Sequence, residues 1–390
     1  MSDPLAELDR MNEETQAKAK PELLIGEAAD DEKDIPRRVY VVPGYIQRGV
    51  VTEVIGPGGH GKSALFLAWA VALALGLPFG GFTPLRPMRV CTLDAEDDIP
   101  EQQRRVAAML RMFGRKKADL GGRLWLLNPA RAGLMVTLDP DKVKLRHTAL
   151  LGEVLEAIDV FRPDMLMLNP LGELHDAEEN DNAALRHVVA ELRVIAKVKD
   201  IGLLFAHHTR KGTPEHGNPD AGRGASSISG VVRKSFTLYA MTEAEAAGWR
   251  ISRADLYFRL DGAKANHDAK NATEWFERVP IVLDNGDTVA GVMPWAPPQE
   301  AVTDDLTGKL LGIVKEGDHG QPWTRRLGTY DRSISHAMER VGIVSRGGQR
   351  KMLDALFAAG VTECVFTKPN RQAAMGLRHP DGGPDASWKE

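Results

Sequence analysis

Gly56-Pro57-Gly58-Gly59-His60-Gly61-Lys62-Ser63 fits the pattern G-x-x-x-x-G-K-[ST] in full. Its flanks fit as well. Residues 50–55 (VVTEVI) form an apolar, β-branched run that reads as a strand, and residues 64–75 are an apolar run that reads as a buried helix. A chance match in a glycine-rich turn would lack both neighbours. In a strand–loop–helix setting the glycines let the backbone curl around a phosphate with its N–H groups, and the helix N-terminus adds a favourable dipole. Gly56, Pro57, Gly58, Gly59, His60, Gly61, Lys62, Ser63 and Ala64 are therefore the expected nucleotide cradle. Lys62 is expected to reach the outer phosphates, and the Ser63 hydroxyl to ligate Mg²⁺.

Outward from this motif the chain alternates. Apolar strand patterns recur at residues 89–93, 164–168, 202–206 and 235–241, with helical patterns between most of them. In residues 183–197, Leu185, Val188, Val189, Leu192 and Ile195 recur at three- and four-residue steps, as one buried helix face requires. Strands that are apolar throughout, separated by helices, predict an α/β fold with a mostly parallel central sheet covered on both faces. Asp284-Asn285-Gly286-Asp287 lies between runs at 275–283 and 288–294, an Asn-Gly hairpin signal that predicts an antiparallel extension.

Ala296-Pro297-Pro298-Gln299 breaks the pattern. The expected organisation is an acidic N-terminal arm (1–40), partly disordered, an ATPase-like core (41–298) and a small C-terminal domain (299–390). The last contains helical patterns at 306–314, 334–341 and 351–357 and a strand at 362–367. It suits a winged-helix-like module, although a plain helical cap has the same periodicity.

Three further stretches carry chemistry. Leu93-Asp94-Ala95-Glu96-Asp97-Asp98 puts acids at a strand end beside the phosphate loop, where Glu96 can polarise an attacking water. The bland alternative is a solvated turn with Asp97 or Asp98 capping the next helix. Leu166-Met167-Leu168-Asn169 is a strand that ends in Asn where such strands normally supply an Asp to the Mg²⁺ shell. Asn169 keeps an acceptor oxygen but not the charge, and Asp164 starts the strand at the wrong end. Asp94 or Glu173 could compensate, and Asn169→Asp is expected to raise turnover modestly. His207 and His208 sit at the carboxyl end of a buried strand, where ligands bind in open α/β sheets. One of them can hydrogen-bond a γ-phosphate, the other being a satisfied core histidine. No cysteine or helical His-x-x-x-His partners them for zinc.

Composition narrows the class. The formal net charge is −4, so no overall positive field draws the chain to nucleic acid, and any such contact must be local. Residues 325–351 hold seven bases (Arg325, Arg326, Arg332, Arg340, Arg346, Arg350, Lys351) against two acids, a patch able to bind duplex backbone if it is not simply a solvated helix face. Two cysteines exclude a disulfide framework or a four-cysteine zinc site. The longest apolar run, residues 64–77, is 14 long, short of a membrane span. With no signal-peptide pattern at the N-terminus, the expectation is a cytoplasmic protein without a membrane partner.

Taken together and in order, these stretches over residues 37–298 resemble the RepA-like (plasmid replicative helicase) branch of the RecA-type hexameric ATPases. The resemblance includes Val42-Pro43-Gly44-Tyr45-Ile46, Asp94 through Asp98, and Asn169-Pro170-Leu171 with Glu179-Asn180-Asp181-Asn182. It continues through His207-His208-Thr209-Arg210-Lys211-Gly212, Arg223-Gly224-Ala225-Ser226-Ser227, Arg233 and Ala263-Lys264-Ala265-Asn266. It implies a RecA-like core binding ATP and Mg²⁺ between subunits of a homo-oligomeric ring, such as a hexamer. Glu96 takes the catalytic glutamate position and His207-His208 the γ-phosphate sensing position. Arg233 and Arg223 take positions from which a neighbour's arginine reaches the site. Arg210, Lys211 and Arg223 fall in the region that faces single-stranded DNA in such rings. The expected function is a DNA helicase or loader of plasmid, phage or mobile-element replication, working with replication proteins. An ATP-binding switch with slow turnover is the alternative, and a recombination ATPase ranks last for want of its DNA loops and polymerisation motif.

Overall fold

The computed structural model describes residues 31–129, 134–138, 145–178, 181–209, 215–222, 225–249, 251–297, 304–328, 332–343, 346–367 and 373–382. The chain forms two compact units: Met1–Ala240 with Asp255–Trp295, and Met241–Ala254 with Ala296–Glu390. The segment Met241–Ala254, expected within the first unit, groups instead with the second. Of the N-terminal arm, residues 1–30 lie outside the described residues.

The first unit holds two small antiparallel pairs, β1 (Tyr40–Val42) with β2 (Ile46–Gln47) and β6 (Val136–Leu138) with β7 (Leu145–His147), and is built on one sheet of nine strands. Its parallel part runs β10 (Lys234–Ala240), β3 (Val51–Gly56), β9 (Gly202–His208), β8 (Met165–Asn169), β4 (Val90–Asp94) and β5 (Leu124–Leu127). Beyond β10 the sheet continues antiparallel through β11 (Tyr257–Ala265), β12 (Glu274–Val282) and β13 (Thr288–Trp295). The β12–β13 hairpin turns at Asn285-Gly286, with Gly286 at φ 90°. The parallel core and the antiparallel extension both agree with the sequence reading.

The central strands β3, β9, β8 and β4 bury both faces, and their residues alternate between two cores. Val54, Met165, Met167, Leu204, Ala206, Phe236 and Leu238 face one cluster, which contains the helix Lys62–Leu75. Val51, Cys91, Leu93, Leu166, Leu168, Leu203 and Phe205 face the other, formed with the helices Ala149–Phe161, Asn182–Val198 and Ala225–Val231. The helix Lys62–Leu75 is buried almost all round, which explains a sequence without an amphipathic stripe. Its Trp69 stacks on Phe82 at 4.7 Å.

The order β10-β3-β9-β8 decides the site. The phosphate-loop strand β3 is flanked by β9 and β10, and the Asn169 strand β8 lies one place further out. Because β3, β9, β8 and β4 are parallel, the residues Gly56, His208, Asn169 and Asp94 all end at one edge.

In the second unit, the helix Asp304–Glu316 is followed by a short extended segment in which Thr324 bridges Ser333. Two helices, Ile334–Arg340 and Arg346–Ala358, come next, and then a hairpin of β14 (Thr362–Thr367) and β15 (Ala373–Arg378). The Leu377 N–H donates to the Trp323 carbonyl at 2.7 Å, joining the extended segment to β15. Leu310, Val314, Trp323, Ile334, Met338, Met352 and Leu356 form its core. β15 escaped the sequence reading because Ala-Ala-Met-Gly-Leu-Arg lacks the β-branched residues that mark strands. No helix among the described residues is long and apolar enough to cross a membrane.

Candidate nucleotide site

Gly61, at φ 110°, is the N-cap of the helix Lys62–Leu75, a left-handed conformation that favours glycine. Phe258 and Arg278 close in on its far side, 3.2 and 3.3 Å from where a Cβ would stand. At Gly58 and Gly59 an added Cβ would meet nothing within 4 Å. The loop is thus backed on one side and open on the other, the shape a phosphate cradle needs. Ala64 lies in the first helical turn, whose N–H groups have no acceptor within the helix.

Lys62 is 5% exposed and folds back on the loop. Its Nζ donates to the carbonyls of Gly56 (2.7 Å) and Pro57 (2.9 Å) and lies 3.5 Å from His208 Nδ1. Burial brings its pKa down to about 8, against an upward pull from Glu96. Carbonyls solvate an ammonium but do not neutralise it, so the lysine is set to exchange them for phosphate oxygens.

The departure at Asn169 has a local explanation. Asn169 and Asp94 are register partners at the ends of β8 and β4. The Asn169 amide donates to Asp94 Oδ2 at 2.7 Å and to the Ser63 hydroxyl at 3.0 Å. Asp94 Oδ1 accepts the backbone N–H groups of Glu96 (3.0 Å) and Asp97 (2.8 Å), which fixes the turn. The carboxylate that the strand end of β8 lacks is present one strand over. Among the described residues no cluster of three or more His, Cys, Asp and Glu is placed to hold a metal ion. Ser63 and Asp94 fit Mg²⁺ all the same, because Mg²⁺ normally takes one or two protein oxygens and completes its shell with phosphates and water; Asn169, expected as a metal ligand, turns its amide nitrogen to both and positions them instead.

The acids after Asp94 divide their work. Asp98 caps the helix Ile99–Met112 by accepting from Glu101 N at 2.8 Å, and Asp97 pairs with Arg105 at 2.6 Å. Glu96 is the one left facing the loop, its Oε1 3.9 Å from His208 Nε2. Burial, then the Asp94 charge, raise its pKa, while Lys62 lowers it.

The two histidines part company. A strand sends successive side chains to opposite faces, so only His208 joins Lys62 and Glu96. His207 turns to the other face, where its Nδ1 is 3.4 Å from Glu53 Oε1. The expectation of His207 in the phosphate site is corrected accordingly: the strand's two-residue period takes it away.

Arg233 is exposed at the start of β10, beside Val51 at the edge of the sheet opposite Gly56. It is far from its own phosphate loop. Arg210, Lys211 and Arg223 lie outside the described residues. Of the basic run in the second unit, Arg325 pairs with Glu363 at 2.8 Å, Arg332 is buried over Phe366 and Arg340 covers Trp323. Arg350 and Lys351 are exposed. Much of that charge is therefore engaged in the unit's own packing.

One residue escaped the sequence reading. Arg278 of β12 donates to the Gly59 carbonyl at 3.0 Å and to the Asp255 carbonyl at 2.9 Å, with its guanidinium 5.5 Å from the Phe258 ring centre. It braces the phosphate loop from behind across 219 residues of sequence.

A phosphate loop opening a buried helix, with acids and a histidine at the carboxyl edge of a parallel sheet, defines a P-loop nucleoside-triphosphatase core. The chain belongs to the AAA domain family, whose sequence pattern matches residues 13–214, a little over half its length. That membership makes it a P-loop ATPase-type, ATP-binding protein.

Proposed function

We propose that this chain is an ATP-hydrolysing, RecA-like ATPase of the RepA type. In this reading it forms a homo-oligomeric ring such as a hexamer and acts on single-stranded DNA as a helicase or loader in replication or mobile-element maintenance. The observation that carries the reading is the convergence of Lys62, Ser63, Asp94, Glu96, Asn169 and His208 on one sheet edge. Arg233, at the opposite edge, suits a residue that serves a neighbouring subunit.

In this reading Lys62 leaves the Gly56 and Pro57 carbonyls to hold the outer phosphates. Ser63 would hold Mg²⁺ arriving with the nucleotide, and the ion would supply charge neutralisation at the phosphates. Asp94 and Asn169 orient the Ser63 hydroxyl and the water around it. Glu96 accepts a proton from the attacking water, a role its raised pKa favours. His208, touching both Lys62 and Glu96, reads the presence of the terminal phosphate. An arginine from the adjacent subunit then stabilises transition-state charge.

The order of elements in the second unit, a helix, an extended segment, two helices and a hairpin bonded back to that segment, supports a winged-helix-like module. The second functional reading is an ATP-binding switch with slow turnover, favoured by Asn169 in place of a strand-end carboxylate. Size-exclusion chromatography and ATPase assays with and without single-stranded DNA test both. A ring with DNA-stimulated hydrolysis supports the motor or loader. A chain that binds ATP but turns it over slowly, whatever DNA is added, supports the switch.

A further inference from the structure

Glu53 lies in the middle of the phosphate-loop strand, 1% exposed, in a sequence otherwise made for a core. A buried acid there is costly unless it is partnered. Its Oε1 is 3.4 Å from His207 Nδ1, and its Oε2 accepts the Ser235 hydroxyl at 3.4 Å. The far edge of the His207 ring packs on Gly222, where an added Cβ would lie 3.4 Å from Cδ2 and 3.5 Å from Nε2. Gly222 is itself bridged to Thr209, the residue after His208. Beside this contact, Lys264 donates to the Ser229 carbonyl, and the Ser229 hydroxyl donates to Asp220 at 2.9 Å. A polar cluster thus pins residues 215–222 and the helix Ala225–Val231 to the sheet face opposite the nucleotide.

We propose that Glu53 is a positioning residue which, through His207, ties the state of the nucleotide site at His208 to the conformation of residues 215–222 and the helix Ala225–Val231. This rests on the ATPase reading above. The coupling is mechanical. His207 and His208 share a peptide unit and face opposite cores, so a shift of His208 toward a phosphate turns the strand end that carries His207. Glu53 is the group on the sheet that His207 works against.

The charge state of the pair supports this geometry. Burial pushes Glu53 up to about 8, with Ser235 and Lys264 pulling it down and Asp220 pushing it up. Arg233 bears on Lys264 and enters only through it. At neutral pH the Glu53 carboxyl is therefore protonated and can donate to His207 Nδ1. Above about 8 it loses that donor.

The test uses the full chain with Glu53→Gln and Glu53→Leu. Turnover at saturating ATP is measured from pH 6 to 9.5, together with affinity for a non-hydrolysable ATP analogue. Hydrogen exchange of residues 215–231 is followed with and without the analogue. Saturation keeps Lys62 paired with phosphate, so its own titration does not enter. The wild type is expected to lose turnover as pH rises through about 8. Glu53→Gln, a donor at every pH, keeps neutral-pH turnover within about threefold and loses that fall. Glu53→Leu drops turnover about tenfold or more, as misplacement of a site group does. Its analogue affinity stays within about twofold, and nucleotide no longer changes exchange at residues 215–231.

An alkaline fall that persists in Glu53→Gln overturns the proposal, as does a wild-type exchange response in Glu53→Leu. Should Glu53→Leu not fold, the Gln pH profile decides. A wild type that binds the analogue without turnover defeats the ATPase reading alone. The exchange response, present in wild type and abolished in Glu53→Leu, still upholds the coupling, and no response in wild type ends it.

Discussion

Asn169 donates its side-chain amide to Asp94 at 2.7 Å, and the same nitrogen reaches the Ser63 hydroxyl at 3.0 Å. The two strand ends thus share the metal-side chemistry. One supplies a carboxylate, and the other supplies the donor that holds it toward the serine.

This geometry reverses the expectation for Asn169→Asp. A second carboxylate within hydrogen-bond distance of Asp94 replaces attraction by like-charge repulsion, so one of the two must take up a proton. Turnover is expected to fall about tenfold and the Mg²⁺ requirement to rise. Asp94→Asn, which removes the charge altogether, is expected to cost about a hundredfold. Magnesium titrations of ATPase rate check both, and a faster Asn169→Asp enzyme would show that the Asp94 carboxylate is not the working one.

Lys62 carries a pH signature. Its pKa of about 8 in the free protein must rise when phosphates replace the carbonyls around it, since opposite charge favours the ammonium. Binding at pH 8.5 therefore takes up a proton, approaching one per site, and affinity weakens as pH climbs through about 8. Calorimetry in buffers of different ionisation enthalpy measures the uptake directly. Lys62→Ala is expected to lose both the uptake and most of the affinity without loss of fold.

Arg278 braces the loop by a charged hydrogen bond to Gly59. Arg278→Ala is expected to weaken nucleotide binding about tenfold, in keeping with roughly 1.5 kcal/mol for such a bond. Arg278→Lys recovers only part of it, because one ammonium cannot span the Gly59 and Asp255 carbonyls as the guanidinium fork does. Equilibrium binding of a fluorescent ATP analogue is the measurement, and unchanged affinity in Arg278→Ala would remove the arginine from the site.

Arg233 and Glu96 lie at opposite edges of the sheet. If each works on a different copy, mixing Arg233→Ala with Glu96→Gln subunits restores part of the activity at junctions where both intact halves meet. The ATPase rate against mixing ratio should then bow above the straight line between the two mutants. A straight line would make Arg233 a structural residue of its own subunit.

Local sequence carried the elements whose physics is local. The phosphate loop, the helix that follows it, the buried strands and the Asn285-Gly286 turn each follow from residues a few positions apart. What escaped depends on strand order. Asp94 could be placed against Asn169 only once β4 and β8 were known to be neighbours in register. Arg278 reaches Gly59 from a hairpin far along the chain. Glu53 gives no local sign of its partner, because His207 meets it only once β9 lies beside β3. The division of His207 from His208 needed no tertiary knowledge, since the two-residue period of a strand already implies it.

The placement of β3 bears on how the protein is made. Its hydrogen-bonding partners are β9 and β10, which lie roughly 150 and 180 residues downstream. A ribosome that has released Val51–Gly56 must go on to synthesise residue 240 before both sides of that strand are covered. Until then the nascent chain holds an apolar edge and the helix Lys62–Leu75 with its core unfinished, the kind of surface that invites aggregation. Sequence-distant pairing of this sort also makes for slow closure of the sheet. The phosphate-loop strand thus waits, one side bare, until the sixth parallel strand leaves the ribosome.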